Sequence, residues 1–291
     1  MFGLTERELR GTVITGSSNF LDTIAQRDPT LFQLPTPRPD LRDYIETALV
    51  GGFPAVAFTR LTRTAREAWT NSYLDQLLTR DAHSLGANRD QRKLEGYFHA
   101  VALNSAGVPE HKTLYDAAGV NVKTAGVYDR LLEDLFISET IPAWVNNRLD
   151  RLTKTPKRYV VDPALIAAAA GATVETVLAD SDLLGQMIDT FVMSQLRPEV
   201  ALSSGRVRLY HLRTKAGREE IDIVAEMPGG KLIAIEVKAS ASPTLRDAKH
   251  LQWLSDQYHH KFLVGAVLHT GPDLFELDRH IYAIPICAFW S

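Results

Sequence analysis

Two carboxylates and an amine stand at a spacing that invites metal chemistry. In the segment 220–226 (EIDIVAE) and the segment 231–239 (KLIAIEVKA), apolar residues alternate with others in the manner of β-strands. Side chains alternate faces along a strand. Glu220, Asp222 and Val224 therefore share one face of the first strand, and Ala234, Glu236 and Lys238 share one face of the second. Gly229-Gly230 suits a hairpin turn, and pairing through it sets Asp222 beside Glu236. Neighbouring like charges are unfavourable unless something offsets them. A divalent cation does so, and Mg²⁺ takes oxygen ligands from one or two carboxylates while keeping several waters. Such an ion polarises a phosphodiester and lowers the pKa of its water, and Lys238 would position that water or stabilise negative charge in the transition state. A sheet face carrying mixed charge in solvent shows the same spacing, so both readings stay open on the pattern alone.

The elements around this pair alternate. RVRLYHLR (206–213) is a strand, 244–258 is an amphipathic helix with Leu245, Ala248, Leu251, Leu254 and Tyr258 inward, and KFLVGAVLH (261–269) is a fourth strand. A helix from about Asp182 to Leu196 precedes them. Upstream, Leu94, Tyr97, Phe98, Val101 and Ala102 mark one helix, Leu114, Ala117 and Ala118 a short second one closed by Gly119, and Asn121 caps a third with Val127, Leu131 and Leu135 inward. Two short strands, FISETIPAW and RYVVDP, follow. Helix, short helix, helix and two-stranded ribbon is the order of a winged helix-turn-helix. On that reading Lys123, Thr124 and Arg130 of the third helix and Arg151, Lys154 and Lys157 between the strands are the candidate nucleic-acid contacts, the latter group as phosphate-binding wing residues. The acids Asp129, Glu133 and Asp134 on the same helix dilute the positive charge, and many winged helices contact only proteins, so DNA and a protein partner are both open. Nearer the start, TVITGSSNF (12–20) reads as a strand running into a polar loop, 34–39 as a proline-rich connection, 40–49 as a helix, and 63–84 as a long amphipathic helix. Trp69, Trp144, Trp253 and Trp290 read as core or interface anchors.

Bulk properties narrow the function classes. The 291 residues suffice for two or three compact domains, and 45% apolar with 23% charged residues excludes wholesale disorder. A net charge of −3 excludes a general polycation, so a nucleic-acid site must be a local patch. The single cysteine, Cys287, excludes an intramolecular disulfide and a cysteine-based zinc site, and the expected compartment is the cytoplasm. No run of 18 apolar residues occurs and charges fall within the first ten residues, so neither a membrane span nor a signal peptide is expected.

GREEIDIVAE followed by KLIAIEVKAS resembles the metal-binding hairpin of the PD-(D/E)XK nuclease superfamily, with Asp222, Glu236 and Lys238 in the motif positions. Over nearly its whole length the chain resembles a bacterial and archaeal family that carries an AAA-type ATPase core, a helical and winged-helix region, and a nuclease-like domain. VITGSSNF (13–20), LVGGFPAV (49–56), Arg80-Asp81, VKTAGVYDRLLEDLFI (122–137), the hairpin and the ending AIPICAFW carry that resemblance. It implies a mixed α+β chain of three parts: a partial ATPase-core segment with linking helices over 1–90, a winged helix over 91–165, and a PD-(D/E)XK-like domain over 166–291. No G-x-x-x-x-G-K-[ST] phosphate loop occurs, so ATP is not expected as a ligand and the chain reads as a truncated or decayed member. The superfamily draws a further acid from a helix before the sheet. Asp189 stands at that position here, Gln195 replaces a second glutamate, and Glu220 is an additional acidic candidate. The resemblance thus implies binding of DNA or a protein partner without ATP hydrolysis, or, alternatively, Mg²⁺-dependent cleavage by Asp222, Glu236 and Lys238.

Overall fold

The computed structural model describes residues 2–11, 19–59, 61–82, 90–108, 111–147, 149–214 and 217–290. The chain is mixed α+β and divides into two compact units. The first comprises residues 1–4, 45–140 and 157–191, the second residues 5–44, 141–156 and 192–291. The strand expected over 12–20 lies mostly outside the described residues. Its end does not extend as a strand, because Asn19 caps the helix Phe20–Ala25 by accepting from the Asp22 N–H.

The first unit is built of helices around a small ribbon. The helix Arg63–Gln76 continues into a π-helical turn, Leu77–Asp81. Gln91–Ala102, His111–Ala117 and Val122–Asp134 follow, then β1 (Ser138–Ile141) and β2 (Lys157–Val160), which pair as a two-stranded sheet. This is the element order expected for the segment. Val122–Asp134 starts where Asn121 Oδ1 accepts from the Thr124 N–H at 2.9 Å, and it buries Ala125, Tyr128, Leu131 and Leu132. Those positions recur every three or four residues, as one helix face requires. Tyr97, Phe98, Leu114, Tyr128, Leu132, Ile137 and Tyr159 form the fully buried centre.

The second unit is organised by a six-stranded sheet of order β3-β4-β5-β6-β8-β7, with β3 Arg208–Arg213, β4 Glu220–Glu226, β5 Leu232–Lys238, β6 Phe262–His269, β7 Phe275–Asp278 and β8 Ile281–Pro285. β3, β4 and β5 run antiparallel through hairpin connections, while β5, β6 and β8 run parallel. The helix Lys249–Gln257 makes the crossover from β5 to β6 that a parallel pair needs. It begins five residues later than the apolar spacing from 244 predicts, since residues 244–248 form turns in which Asp247 holds the Thr244 N–H and hydroxyl. Ile221, Val224, Ala234, Leu251, Leu254 and Val267 share one core. The sheet has two strands more than the four expected. β8 (IYAIP) is buried throughout and so lacks alternation, while β7 (FELD) is an exposed edge without an apolar face.

Candidate functional site

The hairpin β4–β5 turns through Pro228–Gly230, where Gly229 and Gly230 adopt φ of 77° and 73°, conformations that favour glycine. Its register pairs Ile223 with Ile235, Val224 with Ala234, Ala225 with Ile233 and Glu226 with Leu232. One step further sets Asp222 opposite Glu236. There the Val237 N–H donates to Asp222 Oδ2 at 3.0 Å, so a side-chain carboxylate takes the place of a ladder carbonyl. Lys238 Nζ donates to Glu236 Oε2 at 3.2 Å.

Glu236 is not on a solvated sheet face. It is 3% exposed, a depth at which glutamate needs a partner. Its Oε1 is buried without a hydrogen-bond partner. Burial above all, then the charge of Asp222, holds its carboxyl well above the usual range, and Lys238 opposes both. A proton on Glu236 shared with Asp222, or a cation between them, would satisfy that oxygen. Burial works to strip the charge from Lys238, yet Glu236, Asp222 and Asp247 together outweigh it and raise the ammonium pKa. Lys238 is thus a charged group beside one deep carboxylate and one shallower one.

The oxygen donors fit a hard cation in kind, though two carboxylates make a small set. Among the described residues no group of three or more His, Cys, Asp or Glu is arranged to hold a metal. Asp189 belongs to the first unit, where it accepts from Lys157 Nζ at 2.7 Å and Tyr159 Oη at 3.2 Å. Gln195, at the second helix position, accepts the Glu6 N–H at 2.7 Å and so secures the start of a short helix, Glu6–Leu9. Glu220 is half-exposed and faces Arg213, 3.7 Å away on β3.

Two neighbours of the trio were not read from the sequence. Asp247 acts on Lys238 from the turn before the crossover helix. His269 ends β6 directly beside Lys238 in the parallel register. It is buried, and its Nδ1 accepts the Gly271 N–H at 3.1 Å, which places the ring proton on Nε2. The carbonyls of Ala241 and Asp273 favour a charged ring, but none meets hydrogen-bond geometry at Nε2, and burial prevails in lowering the imidazole pKa. The signal for His269 was present, because KFLVGAVLH ends in the same parity as LIAIEVK. Only the parallel pairing of the two strands makes that parity meaningful.

The candidate nucleic-acid residues separate into two groups. Lys123 and Arg130 are exposed on the outer face of Val122–Asp134, with Thr124 partly exposed at its start, and Lys154 is exposed near β2. Arg151 is only partly exposed, and Lys157 is buried. Arg151 donates through Nε to the Val145 carbonyl at 2.7 Å and through Nη1 to Glu226 at 2.6 Å. Lys157 is 2% exposed in its pair with Asp189, and Arg158 pairs with Asp129 and Tyr97. The basic stretch between β1 and β2 thus serves largely as internal ion pairing, which the sequence alone does not distinguish from a wing.

Residues 184–289 match the model of a family described as a domain of unknown function (DUF4143), and residues 41–176 match a second domain of unknown function (DUF8612). The chain is 24% identical over 237 residues to the uncharacterized proteins Mb2031c of Mycobacterium bovis and Rv2008c of Mycobacterium tuberculosis. Each match covers 81% of this chain and 51% of the relative, so the chain spans about half the length of the curated relatives it matches. No solved structure matches it. Among the described residues no helix is long and apolar enough to cross a membrane.

Proposed function

We propose that this chain is a binding module that contacts duplex DNA through the helix Val122–Asp134 and turns over neither phosphodiesters nor ATP. The observation that carries the reading is the outward face of that helix. Lys123, Gly126 and Arg130 lie there within two turns, while Ala125, Tyr128, Leu131 and Leu132 anchor the opposite face. A Cβ at Gly126 would meet nothing within 4 Å, so the face between the two cations is open to a close backbone approach. The nuclease-like hairpin contributes a folded platform whose Asp222, Glu236 and Lys238 largely neutralise one another. Asp189, the acid that would enlarge a metal site, is bound to Lys157 and Tyr159.

The test is fluorescence anisotropy of a labelled duplex against salt, with Mg²⁺ or Mn²⁺ present. Contacts from Lys123 and Arg130 give a log–log salt slope of about −2. The double variant Lys123→Ala, Arg130→Ala weakens binding and reduces that slope by about 2, and the DNA stays intact. No binding at low salt, or unchanged binding by the double variant, overturns the proposal.

A second reading, Mg²⁺-dependent cleavage, has one observation in its favour: the partnerless Oε1 of Glu236. On it Asp222 and Glu236 would hold the ion, which would supply Lewis acidity and an activated water, and Lys238 would stabilise charge on the phosphate. Calorimetric titration with Mg²⁺ decides between the readings. Saturable binding that disappears in Asp222→Ala, Glu236→Ala revives cleavage, and no heat at millimolar metal removes it.

A further inference from the structure

At the turn end of the β4–β5 hairpin, away from Asp222, a cleft of about 330 Å³ lies within the second unit. That volume sits at the lower end of small-molecule sites and exceeds what a single water requires. Its walls are Trp144, Arg151, Glu226, Lys261 and the Gly229-Gly230 turn. Each wall residue has a reason to be fixed. The Trp144 backbone N–H donates to the His211 carbonyl at 2.6 Å, which ties the residue to β3. The Arg151 guanidinium lies over the rings of Tyr210, at 4.6 Å, and Trp144, at 5.5 Å, a cation–π arrangement that holds it flat. Its Nε and Nη1 are committed to Val145 and Glu226, and a guanidinium carries five N–H donors, so further donors remain. Lys261 Nζ donates to Asn146 Oδ1 and lies 6.0 Å from the Trp144 ring.

Trp144 is 2% exposed with its indole Nε1 enclosed, so the ring is a fixed part of the wall and the donors open to a ligand are those of Arg151 and Lys261. The charged groups of the wall are two cations and one carboxylate, and the carboxylate is already bonded to Arg151. The surplus is therefore of donors and of positive charge.

We propose that this cleft binds a small oxyanion-bearing molecule, a phosphate monoester or a carboxylate, whose oxygens accept from Arg151 and Lys261 beside the Trp144 ring. This site is separate from the Asp222–Glu236–Lys238 cluster and from the outer face of Val122–Asp134, and it does not depend on the DNA-binding reading.

The Trp144 indole, in the cleft wall, reports occupancy. In the full chain labelled with ¹⁵N, the four tryptophan indole resonances are followed while inorganic phosphate, ribose 5-phosphate, succinate and a duplex oligonucleotide are added in separate titrations. Trp144 is assigned by triple-resonance experiments, so that no variant of this buried ring has to fold. The expected result is a saturable shift of the Trp144 indole alone. Response to the phosphates or to succinate identifies which oxyanion the cleft takes. Lys261→Gln, at a half-buried rim position, weakens that binding about tenfold, the equivalent of one charge-assisted hydrogen bond. An unmoved Trp144 signal, or movement of all four indoles together with ionic strength, overturns the proposal. So does a response to the duplex alone, which would assign the cleft to DNA.

Discussion

At the scale of single residues, the buried ionisable groups are the informative ones. Arg7 and Glu199 pair at 3.2 Å with both side chains 3% exposed. Glu199 also accepts the Phe20 N–H at 2.7 Å, and Arg7 donates to the Phe289 carbonyl at 3.0 Å. Burial pushes the Glu199 carboxyl up to about 7, against the pull of Arg7 and the Phe20 N–H. The folded state therefore holds a proton that the unfolded chain releases near its ordinary value of 4.5. The stability this group contributes is full below that lower value and is lost as pH rises toward about 7, an effect of order 3 kcal/mol. Glu199→Gln is expected to flatten the fall of the urea midpoint across that window, relative to wild type. Parallel pH profiles for the two proteins would refute it. Asp162, held by the Gly52 and Ala164 N–H groups and pushed up by burial to about 6, produces a similar fall that is common to both proteins and cancels in the comparison.

Asp222 and Glu236 illustrate what spacing reveals at this scale. Strand alternation and the two glycines fix their juxtaposition, because register in a short hairpin follows from the turn. Burial of Glu236 does not follow from its neighbours in sequence. It depends on β6, 26 or more residues downstream, pairing along the other edge of β5. Asp189 was illegible for a related reason: its partners Lys157 and Tyr159 lie about 30 residues upstream on a strand.

At the scale of elements, glycines separate packing from conformation. Gly126 is inside a helix with open space where a Cβ would stand, and Gly126→Ala is expected to stabilise by about 0.5–1 kcal/mol. Gly271 follows β6, where an added Cβ would lie 1.8 Å from the Ala241 carbonyl oxygen. The obstacle is backbone, held in place because the Thr270 N–H donates to Ser240 at 3.2 Å and its hydroxyl to Ala239 at 2.9 Å. Gly271→Ala must part the loops that follow β5 and β6, and a loss of about 2–3 kcal/mol is expected. Urea denaturation of the two variants measures both, and equal midpoints would contradict the assignment. Helices with a strong apolar period, such as Gln91–Ala102 and Val122–Asp134, were readable to within a few residues, since one buried face imposes the period. β7 and β8 were not, because an exposed edge strand and a strand buried on both faces each lack alternation.

At the scale of the whole molecule, the basic stretch between β1 and β2 matters more for cohesion than its charge suggests. Lys157 and Asp189 pair at 2.7 Å with side chains 3% and 12% exposed. Removing one partner of such a pair leaves a buried charge uncompensated, so Lys157→Met is expected to destabilise by about 3–5 kcal/mol. Adding Asp189→Leu should recover much of the loss, since replacing both partners by apolar groups removes the stranded charge. Thermal unfolding of the single and double variants tests this, and additive losses would show that the pair is not coupled.

The sequence by itself determined which segments form amphipathic helices, where the Gly-Gly hairpin turns, and that Asp222 and Glu236 face each other across it. Those are local properties, set by periodicity, capping and turn chemistry within about twenty residues. Tertiary structure decided the rest. It buried Glu236 with an unpartnered oxygen, set His269 beside Lys238 and bound Asp189 to Lys157. It also turned Arg151 toward Glu226 and left Trp144 lining a donor-rich cleft. Each of these depends on strands or helices far apart in the chain meeting within its own unit, and burial and ion pairing are properties of that meeting rather than of any residue's sequence neighbours.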